Sequence, residues 1–111
     1  MLDAPENPRL VEVLPELAVE LTTLLEASNQ LELAGQVPGL VIFDRCRCGD
    51  FFCASFYTQP KPNSAYFGDH GAIDLDATEG MILLDVLNTK IAYVEVLYRD
   101  EIRKTLLSRI P

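Results

Sequence analysis

Apolar residues recur at helical spacing in the first third of the chain. Between Pro15 and Ser28 a leucine stripe runs along one side of a predicted helix, with polar residues on the other side. The stripe consists of Leu17, Leu21, Leu24 and Leu25. Pro15 either ends a short segment before this helix or opens the helix itself, because proline lacks a backbone N–H but fits a first helical turn. The pattern predicts an N-terminal helix and leaves residues 9–14 open as helix or strand.

The spacing changes from Leu40 onward, where β-branched and aromatic residues form short runs separated by turn residues. These runs predict strands over residues 40–48, 51–58, 72–76, 81–87 and 91–97. Residues 59–71 predict a loop, because the prolines there cannot donate to a strand ladder. Residues 99–108 return to helical spacing and predict a closing helix.

The order of these elements is a helix, a run of strands and a second helix. Segregated elements favour an α+β fold, and the short connections between strands favour antiparallel neighbours. We therefore expect an N-terminal helix, an antiparallel meander of four or five strands and a C-terminal helix. The chain of 111 residues has the length of one domain, so we expect residues 1–111 to form a single domain, with residues 1–8 as a loose arm.

The last predicted strand breaks simple alternation. Ile91, Tyr93 and Val96 cannot all lie on one face of a regular strand, because successive side chains point to opposite faces. Either both faces of the sheet are partly covered, or a β-bulge interrupts this strand.

The charge of the chain argues against two classes of partner. The sequence has 17 acidic and nine basic residues, for a net charge of −8. Nucleic acids and anionic membranes are bound mainly through lysine and arginine, so we expect neither as a partner. The same charge fits a basic protein partner or a cation.

The first residues and the cysteines indicate a compartment. Residues 1–8 have no basic region followed by an apolar run, so they are not typical of a signal peptide. No apolar run approaches the roughly 18 residues of a membrane span. Three cysteines, an odd number, suit a reducing compartment better than a secreted disulfide framework. We expect a cytoplasmic protein.

All three cysteines lie in one short segment, residues 45–53. A two-residue turn at Gly49–Asp50 would pair Cys46 with Cys53 in a hairpin. Directly paired residues share a face, and so do residues two apart on one strand. We therefore expect the sulfurs of Cys46, Cys48 and Cys53 to converge on one face.

The same alternation places further residues around the cysteines. Asp44, Ser55 and Tyr57 would join the cysteine face. Arg45 and Arg47 would point to the opposite face. This arrangement depends on the two-residue turn, because a slip of one residue reverses the faces.

Three interpretations of the cysteine cluster stay open. The first is structural, since free cysteine is among the residue types most often buried. The second is a zinc site in which Cys46, Cys48 and Cys53 are joined by His70, because thiolate and imidazole are zinc ligands. The third is a redox or nucleophilic thiol activated by the arginines, although these are expected to face away from the sulfurs.

The segment from Arg45 to Cys53 follows the pattern Arg-Cys-x-Cys-Gly-Asp-x-Phe-Cys. With this pattern it resembles a hairpin of short uncharacterised bacterial proteins, over roughly the C-terminal two-thirds of the chain. The segments 80–85 and 94–97 are similar to small domains of unknown function. The resemblance implies no activity and no site residues.

Together these features favour a small acidic, non-enzymatic binding or interaction protein. It would form a homodimer if the apolar strands 82–87 and 91–97 leave an edge for a second copy, or bind a basic protein. One alternative is a zinc-binding protein that uses the cysteine cluster. Another is a thiol-dependent enzyme that uses Cys48 or Cys53 with His70, whose imidazole Asp69 or Asp74 would orient.

Overall fold

The computed structural model describes residues 7–60 and 70–111, with His70 described by its backbone alone. The first elements are helices α1 (Leu10–Val13), α2 (Pro15–Ala27) and α3 (Leu31–Gln36), followed by a 3₁₀ turn at Val37–Gly39. Five strands follow: β1 (Asp44–Arg45), β2 (Phe56–Tyr57), β3 (His70–Leu75), β4 (Met81–Leu87) and β5 (Lys90–Leu97). Helix α4 (Asp100–Arg109) comes last. None of the helices in these two ranges is long and apolar enough to cross a bilayer.

These elements confirm the predicted α+β fold, with helices before and after the strands. Pro15 opens α2, and the segment before it is the short helix α1. Pro8 is not loose, because its carbonyl accepts a hydrogen bond of 2.8 Å from the Ile42 N–H. The prediction of a loose arm is therefore wrong at Pro8, and residues 1–6 lie outside the described residues.

The strands form one sheet in the order β1-β2-β5-β4-β3, and every neighbouring pair is antiparallel. Strand β2 therefore lies beside β5, far from it in the chain. Strands β4 and β5 each pair on both sides, so the described sheet offers no free edge at residues 82–87 or 91–97. The backbone groups of these two strands already bond within the sheet, so a second copy would have to pair elsewhere, and the homodimer stays a prediction.

The strand that leads into the cysteines is shorter than the sequence predicts. β1 covers only Asp44–Arg45 of the predicted 40–48. Residues 41–42 pair elsewhere, since Val41 forms a bridge with Arg9 and the Ile42 N–H bonds to the Pro8 carbonyl. Residues 41–42 therefore connect the start of the helical segment to the chain just before the cysteine hairpin.

The returning strand is also assigned over fewer residues, Phe56–Tyr57 of the predicted 51–58. Hydrogen bonds nevertheless continue to β5 on both sides of it. The Ala54 N–H bonds to the Val96 carbonyl at 2.8 Å, and the Thr58 N–H bonds to the Ala92 carbonyl at 3.0 Å. Residues 54–58 thus pair with β5 in one register, and this pairing holds the C-terminal end of the cysteine loop against the sheet.

The helices cover one face of the sheet. Phe56, Val94 and Leu84 are paired across three adjacent strands and are fully buried. Leu21 of α2 and Leu106 of α4 belong to the same apolar cluster. Each such side chain stabilises the fold by about 1.5–3 kcal/mol when removed from water. Residues at the intervening strand positions lie on the opposite face, which we call the outer face.

A β-bulge interrupts the last strand. Asp85 pairs with Tyr93, but the next residue of β4, Val86, pairs with Ile91. Ala92 is therefore an extra residue on β5. The bulge lets Ile91 face the core while Tyr93 faces outward, and it confirms one of the two alternatives for this strand.

Candidate metal centre

The hairpin that carries the cysteines has a longer loop than a two-residue turn. The Cys46 N–H donates to the Ser55 carbonyl at 2.8 Å, so Cys46 lies opposite Ser55. The predicted pairing of Cys46 with Cys53 is wrong by two residues. The loop lengthens because the Cys53 N–H bonds to the Asp50 carbonyl at 3.1 Å and closes a separate turn.

A slip of two residues preserves the alternation of faces, so the predicted convergence survives. The Sγ atoms of Cys46, Cys48 and Cys53 all lie within 4.8 Å of one another. In the described part of the chain no other three His, Cys, Asp or Glu side chains come together in this way. Around a tetrahedral zinc ion with Zn–S bonds of about 2.3 Å, sulfurs are roughly 3.8 Å apart. The thiols therefore need to move by only about 1 Å to hold an ion.

The cluster is open to solvent on one side. Cys48 is exposed, Cys46 and Cys53 are half-buried, and all three are free thiols. A cavity of about 40 Å³ lies between the cysteine hairpin and Arg103 and Leu106 of α4. Pockets for organic ligands measure about 300–1,000 Å³, whereas one water needs roughly 10–15 Å³. This space suits a water or an ion better than an organic substrate.

Ser55 connects the cluster to the interior of the sheet. Ser55 is 2% exposed. Its Oγ accepts the Val96 N–H at 2.9 Å and donates to the Val96 carbonyl at 3.3 Å. The Sγ of Cys53 donates to the same oxygen at 3.3 Å. The hydroxyl thus uses its proton and both of its lone pairs.

A row of outer-face residues crosses four strands beside the cluster: Asp44, Tyr57, Tyr93 and Asp85. The centroids of the Tyr57 and Tyr93 rings are 4.6 Å apart. The Tyr93 hydroxyl lies within hydrogen-bonding range of the Cys46 thiol and of the Ser55 hydroxyl. The row agrees with the prediction that Asp44 and Tyr57 share the face of the cysteines.

The thiols influence one another's ionisation. Burial works to raise the pKa of Cys46, but hydrogen bonds from Tyr93, from the Cys48 backbone amide and from the two neighbouring thiols outweigh it, so the pKa lies below its usual value. A bond from the Asp50 backbone lowers the pKa of Cys48, yet burial and the neighbouring thiols raise it to about 11. One thiolate disfavours a second at such short range. A bound cation would remove this repulsion.

The two arginines beside the cysteines bind other groups. Arg45 Nε donates to the Ile110 carbonyl at 2.7 Å. Arg47 Nη2 donates to Asp44 Oδ1 at 2.8 Å and to the Pro111 carbonyl at 3.2 Å. The prediction that Arg47 faces away from Asp44 is wrong, because the long Arg47 side chain turns back past the end of β1 to the Asp44 carboxylate. The hydrogen bond from Arg47 lowers the pKa of Asp44.

His70 lies in the strand at the opposite edge of the sheet. Its backbone pairs with Leu87 at the start of β3. Four strand spacings of about 4.8 Å separate β3 from β1, roughly 19 Å across the sheet. The backbone therefore does not bring His70 to the cysteines. Its side chain and Asp69 lie outside the described residues, so its roles as zinc ligand and as general base stay predictions.

No protein-family model, no curated protein and no solved structure matches this chain. The resemblance of the segment Arg45–Cys53 to bacterial proteins stays a prediction. The function must therefore be inferred from the geometry of the site.

Tyr93 is the neighbour of the cluster that sequence reasoning missed. It lies in β5, which pairs with β2 although the two strands are distant in the chain. A tyrosine hydroxyl among the apolar side chains of a strand is a weak signal for an outward position. That signal does not tell which strand lies alongside.

Proposed function

We propose that this protein binds one thiophilic metal ion, zinc, through the sulfurs of Cys46, Cys48 and Cys53. The observation that carries the proposal is the approach of all three Sγ atoms to within 4.8 Å of one another. Thiolates select Zn²⁺ and Cu⁺, whereas Mg²⁺ and Ca²⁺ prefer oxygen ligands. The fourth position of a tetrahedral zinc ion would hold water or a ligand from outside the cluster.

The surroundings of the cluster support a cation. The chain has a net charge of −8, and exposed Asp50 lies in the cysteine loop itself. Exposure of Cys48 gives an ion a path to the sulfurs. A cytoplasmic location fits this proposal, because free thiols stay reduced there and remain available as ligands.

A thiol-dependent enzyme has less support. The cavity beside the cysteines is too small for an organic substrate. The side-chain bonds of Arg45 and Arg47 go to backbone carbonyls and to Asp44. These bonds favour a metal site over an arginine-activated nucleophile.

Protein–protein binding is a second candidate, supported by an aromatic group at the tip of the cysteine loop. Phe51 is 79% exposed and Tyr98 is 63% exposed, and the Phe52 ring stacks on Tyr98 with centroids 5.4 Å apart. Exposed aromatics of this kind are enriched at interfaces. Given the acidic chain, the partner would be a basic protein. Binding of a purified partner tests this candidate. Phe51→Ser should weaken that binding, whereas Val19→Ser, which changes another exposed apolar residue, should leave it unchanged.

Metal titration tests the zinc site directly. Protein purified without a polyhistidine tag is reduced and titrated with Co²⁺ and then Zn²⁺. We expect one ion per chain, sulfur-to-cobalt charge-transfer absorption and protection of the thiols from alkylation. Zinc at 100 times its Kd should stabilise the fold by about 2.7 kcal/mol, and a chelator should reverse the effect.

Single substitutions identify the ligands. Cys46→Ser, Cys48→Ser and Cys53→Ser should each lower the metal affinity and weaken the charge-transfer band, because an alcohol is a poor ligand for zinc at neutral pH and only two thiolates remain. Cys48→Ser is the sharpest of the three, since Cys48 is exposed and its loss leaves the core intact. Absence of metal in the wild type, or unchanged affinity of Cys48→Ser, would overturn the proposal. His70→Ala measures separately whether that side chain is a fourth ligand.

A further inference from the structure

We infer that Ser55 is a positioning residue of this site, one that donates its hydroxyl proton to the Cys53 sulfur when the metal is bound. The inference rests on the proposed zinc site and describes how the fold supports it. It is carried by the contacts of a single buried oxygen, the Oγ of Ser55.

In the metal-free protein every position on this oxygen is occupied. Ser55 Oγ accepts the Val96 N–H at 2.9 Å and the Cys53 S–H at 3.3 Å, and it donates to the Val96 carbonyl at 3.3 Å. The hydroxyl has one proton, and its neighbouring acceptors are the Val96 carbonyl, the Cys53 sulfur and the Tyr93 hydroxyl.

Metal binding changes the chemistry of the sulfur. The zinc–sulfur bond replaces the S–H bond of Cys53, and the released proton goes to water. The sulfur can then only accept hydrogen bonds. Rotation about the Cβ–Oγ bond of Ser55 turns the hydroxyl proton to this sulfur, at the distance of 3.3 Å already present.

The rotation leaves no buried group of Val96 without a partner. The Val96 N–H still donates to Ser55 Oγ. The Val96 carbonyl still accepts the Ala54 N–H at 2.8 Å. The exchange therefore avoids the cost of an unsatisfied buried acceptor, and the sheet can respond to the ion without moving its backbone.

The hydrogen bond has a purpose in a site of three thiolates. Three thiolates and one Zn²⁺ carry a net charge of −1, and O–H donors spread that charge. The Tyr93 hydroxyl makes the corresponding contact with Cys46 from the outer face. Hydrogen-bonding partners of metal ligands usually contribute about 10–100-fold to affinity.

A matched pair of buried hydroxyls allows a clean test. Thr58 is also buried, and its Oγ1 donates to the Ile91 carbonyl of β5 at 2.8 Å. It lies on the same strand segment as Ser55 but has a carbonyl, not a sulfur, as its partner. Both Ser55→Ala and Thr58→Val should lower the stability of the metal-free protein. Zinc affinity, measured by competition with a chromophoric chelator, should fall roughly tenfold for Ser55→Ala and less than about twofold for Thr58→Val.

Cobalt absorption gives a readout that depends on the sulfur and not on stability. A hydrogen bond lowers the energy of the sulfur lone pair, so its loss in Ser55→Ala should move the charge-transfer band to longer wavelength. The band of Thr58→Val should stay in place, and Ser55→Thr, which keeps the hydroxyl, should restore most of the wild-type affinity.

The outcomes separate this inference from the zinc site. Two results would overturn the role of Ser55 and leave the zinc site intact. In one, Ser55→Ala binds zinc as tightly as the wild type; in the other, Ser55→Ala and Thr58→Val lose the same amount of zinc affinity. No binding by the wild type would remove both. If Ser55→Ala does not fold, NMR spectra of the wild-type protein loaded with ¹¹³Cd provide the test. A scalar coupling between cadmium and the Ser55 hydroxyl proton through the Cys53 sulfur supports the inference, and its absence overturns it.

Discussion

Arg99 forms a bidentate ion pair with Glu20, since Nη1 and Nη2 of the guanidinium each lie 3.0 Å from a different carboxylate oxygen. Arg99 directly precedes α4, and Glu20 lies in the middle of α2. The pair therefore fixes the last helix against the first long one. Only 11% of the Arg99 side chain is exposed, and the hydrogen bond with Glu20 is the main cause that raises its pKa.

Removal of this pair should destabilise the fold. Arg99→Met leaves the Glu20 carboxylate partly buried without its partner, and we expect the free energy of unfolding to fall by about 1–3 kcal/mol. Urea denaturation measures the change. Lys104→Met is the control, because the Lys104–Asp100 pair at 3.3 Å is solvent-exposed on both sides and should contribute less than about 0.5 kcal/mol. Equal losses in the two variants would contradict the role given to Arg99.

Glu101 should contribute to stability in a pH-dependent way. Its hydrogen bond with Arg99 lowers the pKa of Glu101 below its usual 4.5. Stability from a lowered carboxyl pKa is present above the unfolded-state pKa and is lost as the pH falls through the folded-state pKa. The effect should be only a few tenths of a kcal/mol, because 63% of the side chain is exposed to solvent.

Denaturation series at about pH 6 and about pH 3 for the wild type and Glu101→Gln measure this contribution. The wild type should lose slightly more stability on acidification than the variant. Asp100→Asn serves as the comparison on the same helical turn. A larger loss in Glu101→Gln than in the wild type would show that the sign is wrong.

Gly80 should be intolerant of a side chain, whereas Gly35 should accept one. Gly80 has φ +65° at the entry to β4, and an added Cβ would overlap the Leu97 carbonyl. The left-handed conformation alone costs an alanine about 1–2 kcal/mol, so Gly80→Ala should destabilise by more than that. An added Cβ at Gly35 in α3 meets nothing within 4 Å, and Gly35→Ala should stabilise by about 0.4–1 kcal/mol. Thermal unfolding of both variants compares them, and changes of the same sign would contradict this account.

Tyr93 should ionise late in the metal-free protein. Burial, followed by its hydrogen bond with Cys46, raises the pKa of Tyr93 well above the usual 10, and burial also raises the pKa of Tyr57. The folded state then keeps protons that the unfolded chain loses, so stability falls as the pH rises above about 10. When tyrosine ionisation is followed by ultraviolet absorbance against pH, Tyr93→Phe should lack the phase at the highest pH. Loss of an early phase instead would place the Tyr93 hydroxyl in solvent.

Much of the fold could be predicted because its signals are local. The spacing of leucines after Pro15 indicates α2, and the apolar run of residues 81–87 indicates β4. Alternation also predicts that the three sulfurs share a face, although the hairpin loop is two residues longer than the predicted turn. The error did no harm because faces repeat every two residues.

The rest depends on groups that are distant in the chain. Nothing local says that β2 pairs with β5, so neither the contact of Tyr93 with Cys46 nor that of Ser55 with Val96 could be foreseen. The pairing of Arg99 with Glu20 is of the same kind.

By itself, then, the sequence determined the types of the main elements, the acidic charge and the set of sulfurs that share a face, because each follows from neighbours within a few residues. Only the tertiary structure decided the strand order, the spacing of the sulfurs and the hydroxyls beside them. Those features arise when the apolar faces of the helices and strands pack into one core, and that packing brings Ser55 and Tyr93 to the cysteines.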